Sequence, residues 1–152
     1  MSGQTQSCGC FRLDLIKTSA THKKKLKRLN KQHRRARERQ LPGTFNAQHL
    51  DCMLQYWGYA CAICGNQEGF ARTLALDYWI PLDALHCPGT LPTNILPFCH
   101  GEGGCNNSKG SKDPVAWLLA RWGKRKAHRK LQDIAHFFAQ ASTFAESHKD
   151  AA

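Results

Sequence analysis

The sequence predicts an α+β fold: a two-stranded hairpin clamped by cysteines, with helices before and after it in the chain. Three observations carry that expectation. Cys61-Ala-Ile-Cys64-Gly65 and a later pair, Cys99 and Cys105, bracket a strand-like segment. Within that segment Leu74, Leu76, Tyr78 and Ile80 recur at every second position, as one face of a strand does. Flanking segments instead repeat their apolar residues at helical spacing. A length of 152 residues suits one compact domain with an extension.

Taken in order, residues 1–20 are polar and without clear periodicity. Residues 21–39 lack Pro and Gly and are rich in Lys, Arg, Leu and Gln, so they read as a helix capped by Thr21 and stopped by Leu41-Pro42-Gly43. A second helix is expected from Thr44 or Asn46, with Leu50, Met53, Leu54 and Trp57 on one face, ending at Gly58. The strand over Arg72–Ile80 ends at Pro81, and Asn94–Phe98 is its return partner after a long loop. A short helix begins near Asn106 or Asn107. Asp113-Pro114 reads as a cap followed by Pro at the first helical position, opening a helix with Trp117, Leu118, Arg121 and Trp122. Gly123 interrupts it, and a final amphipathic helix near 128–144 carries Leu131, Ile134, Phe137, Phe138 and Ala141 inward. The tail after Glu146 is expected to fray. The organisation is therefore a basic N-terminal arm over 1–43, a cysteine-clamped core over 44–122, and a basic, amphipathic helical region over 123–152.

Charge narrows the partners. The chain carries 22 Lys and Arg against 11 Asp and Glu. Ten of those cations stand close together: Lys23, Lys24, Lys25, Lys27, Arg28, Lys31, Arg34, Arg35, Arg37 and Arg39, opposed only by Glu38. Such crowding is relieved by a polyanion, which releases its own counterions on binding, so nucleic acid is the expected partner. The segment has almost no large apolar residues with which to enter a membrane surface. Short apolar runs argue against a membrane span, and a polar N-terminus against a signal peptide; the expected setting is cytoplasmic and reducing.

In that setting the cysteines point to metal rather than disulfides. Cys61 and Cys64 form a C-x2-C-G knuckle whose turn Gly65 eases, and Cys99 and Cys105, across a glycine-rich loop, supply the second pair. Four thiolates close a tetrahedral Zn²⁺ site with no open position, which is structural rather than catalytic. His100 is a minor alternative ligand. Cys8 and Cys10 lie too near the terminus to interpret, Cys52 is expected in the core, and Cys87 before Pro88-Gly89 in a structural turn.

The order of landmarks is more specific than any one of them. Cys61-x2-Cys64 is followed by Asp77-Tyr78-Trp79-Ile80-Pro81-Leu82, by Asn94-Ile95-Leu96-Pro97-Phe98-Cys99, and by Cys105-Asn106-Asn107-Ser108-Lys109. Over roughly residues 57–120 this resembles the HNH, or ββα-metal, endonuclease family in its zinc-knuckle form. The resemblance implies a ββα-metal core and metal-dependent hydrolysis of duplex DNA. Asp77 would be the acidic ligand of a catalytic Mg²⁺ or Mn²⁺, Asn106 (or its neighbour Asn107) would complete that site, Asn94 would brace the loop, and Lys109 would contact a phosphate. A homodimer is a candidate assembly, since cutting both strands with one site per chain takes two chains.

One position departs from the pattern. Tyr78 stands where the family has the histidine that activates water. Histidine suits that role because it titrates near neutral pH, whereas tyrosine ordinarily holds its proton to about pH 10. Four consequences are open at this level: a Tyr78 with a lowered pKa, a substitute base such as His86 or His100, a zinc-stabilised DNA- or RNA-binding protein that does not cut, or a tyrosine introduced to inactivate the site.

Overall fold

A computed structural model describes residues 10–69 and 73–146, with side chains over 23–69 and 73–143. Its elements run α1 (Cys10–Glu38), α2 (Ala47–Tyr56), β1 (Thr73–Tyr78), β2 (Ile95–His100), α3 (Cys105–Lys109) and α4 (Pro114–Glu146). The fold is mixed α+β, with a two-stranded sheet, helices, and a cluster of four cysteines.

The hairpin is the frame. β1 and β2 pair antiparallel, with Thr73 opposite His100, Asp77 opposite Leu96 and Tyr78 opposite Ile95. Alternation holds through the last residue of β1: Leu74, Leu76 and Tyr78 are buried, while Asp77 is half-buried. β2 is buried everywhere except at His100, because helices and the knuckle pack around it. Phe98 stacks on Trp117 of α4, and Ala62 beside the knuckle donates its backbone N–H to Pro97 O at 2.8 Å.

Local chemistry explains the helix ends. Asn46 caps α2 by accepting from His49 N at 3.0 Å, and the His49 ring accepts in return from Asn46 N at 3.1 Å. Asp113 caps α4, its carboxylate accepting from Ala116 N at 2.7 Å, with Pro114 next in line. Gly123 has φ 71° and ψ 167°, a conformation essentially reserved for glycine, so α4 is two helical pieces joined at an elbow.

The N-terminal region corrects the sequence expectation twice. α1 begins at Cys10, so Thr21 lies inside the helix and cannot cap it. Over its described side chains the basic segment also docks on the hairpin, which the sequence reading did not anticipate. Leu29, Gln32 and Ala36 form a buried stripe at helical spacing, and Gln32 donates from Nε2 to Leu76 O at 2.8 Å, covering β1. The spacing rule was sound, but three inward residues among many cations made the docking face easy to overlook. Cys8, Arg72 and the tail after Glu146 lie outside the described residues. Among those described, no helix is long and apolar enough to cross a membrane.

Candidate metal centre and basic cleft

The four cysteines named from spacing converge. The Sγ atoms of Cys61, Cys64, Cys99 and Cys105 all lie within 4.8 Å of one another, and Cys64 and Cys99 sulfurs are 3.7 Å apart. Tetrahedral ligation at a Zn–S distance of about 2.3 Å requires sulfurs roughly 3.8 Å apart, so the cage fits a zinc-sized ion. Gly65 sits at φ 75° and returns its N–H to Cys61 O at 2.9 Å, while Cys105 N donates to Cys99 Sγ at 3.3 Å. Without a metal the thiols compete for protons. A hydrogen bond with Cys105 draws the Cys61 thiol down to about 4, the same bond pushes Cys105 up, and burial pushes Cys64 up. A divalent cation would remove that conflict, with all four held as thiolates. Among the described residues this is the one such grouping of His, Cys, Asp or Glu. Cys87 instead is structural: buried, with Sγ donating to Ile80 O and accepting from Gly89 N, both at 3.4 Å. Cys52 is only half-buried, on α2.

A separate cleft of about 460 Å³ opens between α1, β1 and α3. Lys24, Arg28, Lys31 and Arg35 line one wall; Asp77, Asn106, Lys109 and His100 line the other. The four cations of α1 recur at intervals of four, three and four residues, which places them along one helical face over about 16 Å. That periodicity is visible in the sequence and was masked there by the cations around it. Several α1 cations are already engaged, Arg28 of that row among them: Lys25 pairs with Asp51, Arg28 with Glu68 at 2.9 Å, Arg34 with Glu38 at 3.6 Å and Arg39 with Asp83 at 2.7 Å. Lys24 is 3.8 Å from Glu68. Lys23, Lys27, Lys31 and Arg37 are exposed and form no ion pair among the described residues.

Lys109 requires a correction. Its side chain is 0% exposed, so it is not a surface cation placed for a phosphate. The ammonium donates to Tyr78 O at 2.6 Å, Asp77 Oδ2 at 3.0 Å and Gly110 O at 3.3 Å, and lies over the Phe98 ring. The cause is helical: Lys109 is four residues after the buried Cys105 and shares its inward face. Asp77 therefore has an internal counter-ion. Burial pushes its carboxyl up, against the pull of Lys109.

Tyr78 requires another. It is 2% exposed and sits on the opposite face of the strand from Asp77. Its hydroxyl is within 2.9 Å of Thr90 Oγ1 and donates to Gln32 O at 3.1 Å, with the Arg35 guanidinium 5.5 Å above the ring. Burial pushes the phenol above its ordinary value, opposed by the Thr90 hydrogen bond. A phenol so enclosed and so hard to ionise is not a general base at neutral pH. Its partners Gln32 and Thr90 had no signal in the sequence, since both come from distant segments.

Asn94 is fully buried and laces the long loop together. Oδ1 accepts from Ile80 N at 2.7 Å; Nδ2 donates to Gly89 O at 3.0 Å and Ile80 O at 3.2 Å. Asn106 is half-buried at the start of α3, facing the cleft that holds Asp77. Of the two substitute histidines, His86 is exposed in the loop, outside the residues that line the cleft. His100 does line it, opposite Thr73 and thus four strand positions from Asp77. No family model, characterised protein or solved structure matches the chain.

Proposed function

We propose that the chain is a zinc-stabilised nucleic-acid-binding protein, built on the HNH plan, whose water-activating position has been given over to the core. The row of Lys24, Arg28, Lys31 and Arg35 along the cleft carries this reading. A rigid helix presents these cations in line, so a phosphodiester backbone gains contacts while the helix loses little conformational freedom. Duplex DNA is the first ligand to try. Contacts of this type give affinity and register but no sequence information.

The Asp77–Lys109 pair supports binding over hydrolysis. A carboxylate already neutralised by a buried ammonium is a poor ligand for Mg²⁺ or Mn²⁺, which would have to displace that cation. The Tyr78 environment adds the absence of a base at that position.

A second reading, metal-dependent endonuclease, is favoured by one observation: Asp77, Asn106 and His100 face the same cleft. On that reading Asp77 and Asn106 would hold the divalent ion, which would stabilise charge on the phosphate and the leaving oxygen. Lys109 would have to be displaced from Asp77, and His100, four strand positions away or about 13 Å, would have to be brought nearer to take the base's part.

One experiment separates them. Binding of duplex DNA is measured across a salt series, and supercoiled plasmid is incubated with Mg²⁺, Mn²⁺ or EDTA, beside Tyr78→His and Asp77→Ala. The binding reading expects steeply salt-dependent affinity and no cutting by the native chain. Metal-dependent cutting that Asp77→Ala abolishes would replace it with the nuclease. Failure to bind DNA or RNA at low salt would remove both.

A further inference from the structure

A second basic groove, of about 570 Å³, lies away from the first and shares no lining residue with it. Its walls are the knuckle residues Ile63, Cys64 and Gly65 and the face of α4 bearing Arg121, Trp122, Lys126, Arg129, Lys130 and Asp133. Two devices make it concave. The elbow at Gly123 turns α4 between Trp122 and Lys126, and the knuckle, held by its four sulfurs, closes the far side. An added Cβ at Gly123 would meet nothing within 4 Å, so the glycine is required there by backbone conformation and not by crowding.

Four cations face one acid. Lys130 is partly committed, 3.3 Å from Asp133 and stacked over Trp57. Arg121 donates to Ser108 Oγ at 3.1 Å and lies over Trp117. Lys126 lies 4.6 Å above the Trp122 ring with no acidic partner, and Arg129 is exposed with none among the described residues. Lys126, Arg129 and Lys130 share one helical face beyond the elbow and Arg121 stands before it, so the cations are spread along the groove instead of gathered about one point, which suits several consecutive phosphates.

We propose that this groove is a second phosphodiester-binding surface, so that the chain holds two stretches of nucleic-acid backbone, one along α1 and one along α4. That the ligand is nucleic acid rests on the function proposed above. The existence of a second surface rests on the groove itself. A competing role for these cations is to offset the excess negative charge of a metal bound by four thiolates, since Cys64 lines the same groove.

The test uses the full zinc-loaded chain and a labelled duplex, with affinity measured over a salt series. Three proteins are compared with the native one: Lys24→Gln/Lys31→Gln in the first cleft, Lys126→Gln/Arg129→Gln in the second, and all four together. All of these side chains are exposed or unpaired enough to leave the core intact, which circular dichroism and zinc content check. Each pair should flatten the slope of log affinity against log salt by roughly two, at about 0.9 per lost phosphate contact, and the two effects should add. An α4 pair that leaves affinity and slope unchanged, while the α1 pair lowers both, overturns the second surface and spares the first. An α4 pair that loses zinc without losing affinity assigns those cations to the metal centre and equally overturns the proposal. A native chain that binds no duplex overturns both readings together.

Discussion

The cysteine cluster and the Asp77–Lys109 pair lie at the same hairpin and solve opposite problems. At the cluster four potential anions are packed within 4.8 Å of one another, so the group is self-repelling once ionised and calls for an external cation. At the pair one carboxylate meets one ammonium at 3.0 Å, inside the protein, and the charge is already balanced. Ligand type alone would have marked both as metal sites. Charge balance distinguishes them: the first could hold a divalent cation as four thiolates, the second has its cation built in.

The strongest way to break this comparison is to take the metal away. Structural zinc in small domains contributes about 10–16 kcal/mol of apparent binding energy. Chelation, or Cys105→Ser, should therefore unfold the knuckle and loosen β2 and α3, read as loss of near-ultraviolet dichroism and of amide protection. If chelation leaves the native melting profile intact, the cluster is four buried thiols and the contrast falls. The matching change at the pair is Lys109→Met. It strands a partly buried carboxylate, 17% exposed, and should cost about 1–3 kcal/mol in chemical denaturation. The double variant Lys109→Met/Asp77→Leu should recover most of that loss, because an apolar pair of similar volume needs no counter-charge. Recovery by Mn²⁺ in Lys109→Met alone, and not in the native chain, would sharpen the point that the ammonium and a divalent ion compete for one carboxylate.

Smaller effects probe the neutral polar groups between the two regions. Asn94→Ala leaves Ile80 N and Gly89 O without their buried partner and should cost about 1–3 kcal/mol. An unchanged denaturation midpoint would mean that other contacts position the loop. Tyr78→Phe tests titration. Because burial raises the phenol in the folded state, Tyr78 contributes stability that is intact below its ordinary value of 10.0 and lost as pH rises through the folded value. The native and Tyr78→Phe proteins should therefore show no difference in tyrosinate absorbance near neutrality and diverge only in strong alkali. Divergence near pH 7 would restore Tyr78 as a base.

Much of the frame could be read from residues close together in the chain. The knuckle followed from C-x2-C-G. The shared face of Leu74, Leu76 and Tyr78 on β1 followed from their alternation. The α4 start followed from Asp113-Pro114. The α2 cap was named as one of two choices. Less legible were features that depend on a second segment. Lys109 carried a hint, its helical offset of four from Cys105, but nothing pointed to the carboxylate it meets. The docking of α1 was obscured because three inward residues are interleaved with ten cations.

The division has a physical origin. Strand alternation, helical spacing, capping and the reach of neighbouring thiols are properties of the backbone over a few residues, so composition and order suffice to determine them. The partners of a buried charge or hydroxyl depend on which elements are pressed together. Gln32 and Thr90 reach Tyr78 from 46 and 12 residues away, and Asp77 meets Lys109 across 32. The sequence by itself therefore determined a cysteine-clamped α+β chain with an excess of positive charge. The tertiary structure alone decided that the tyrosine is enclosed, that the lysine is spent inside, and that eight of the other cations line two grooves. Burial makes those choices binding, because a polar group removed from water must take whatever partner the fold brings to it.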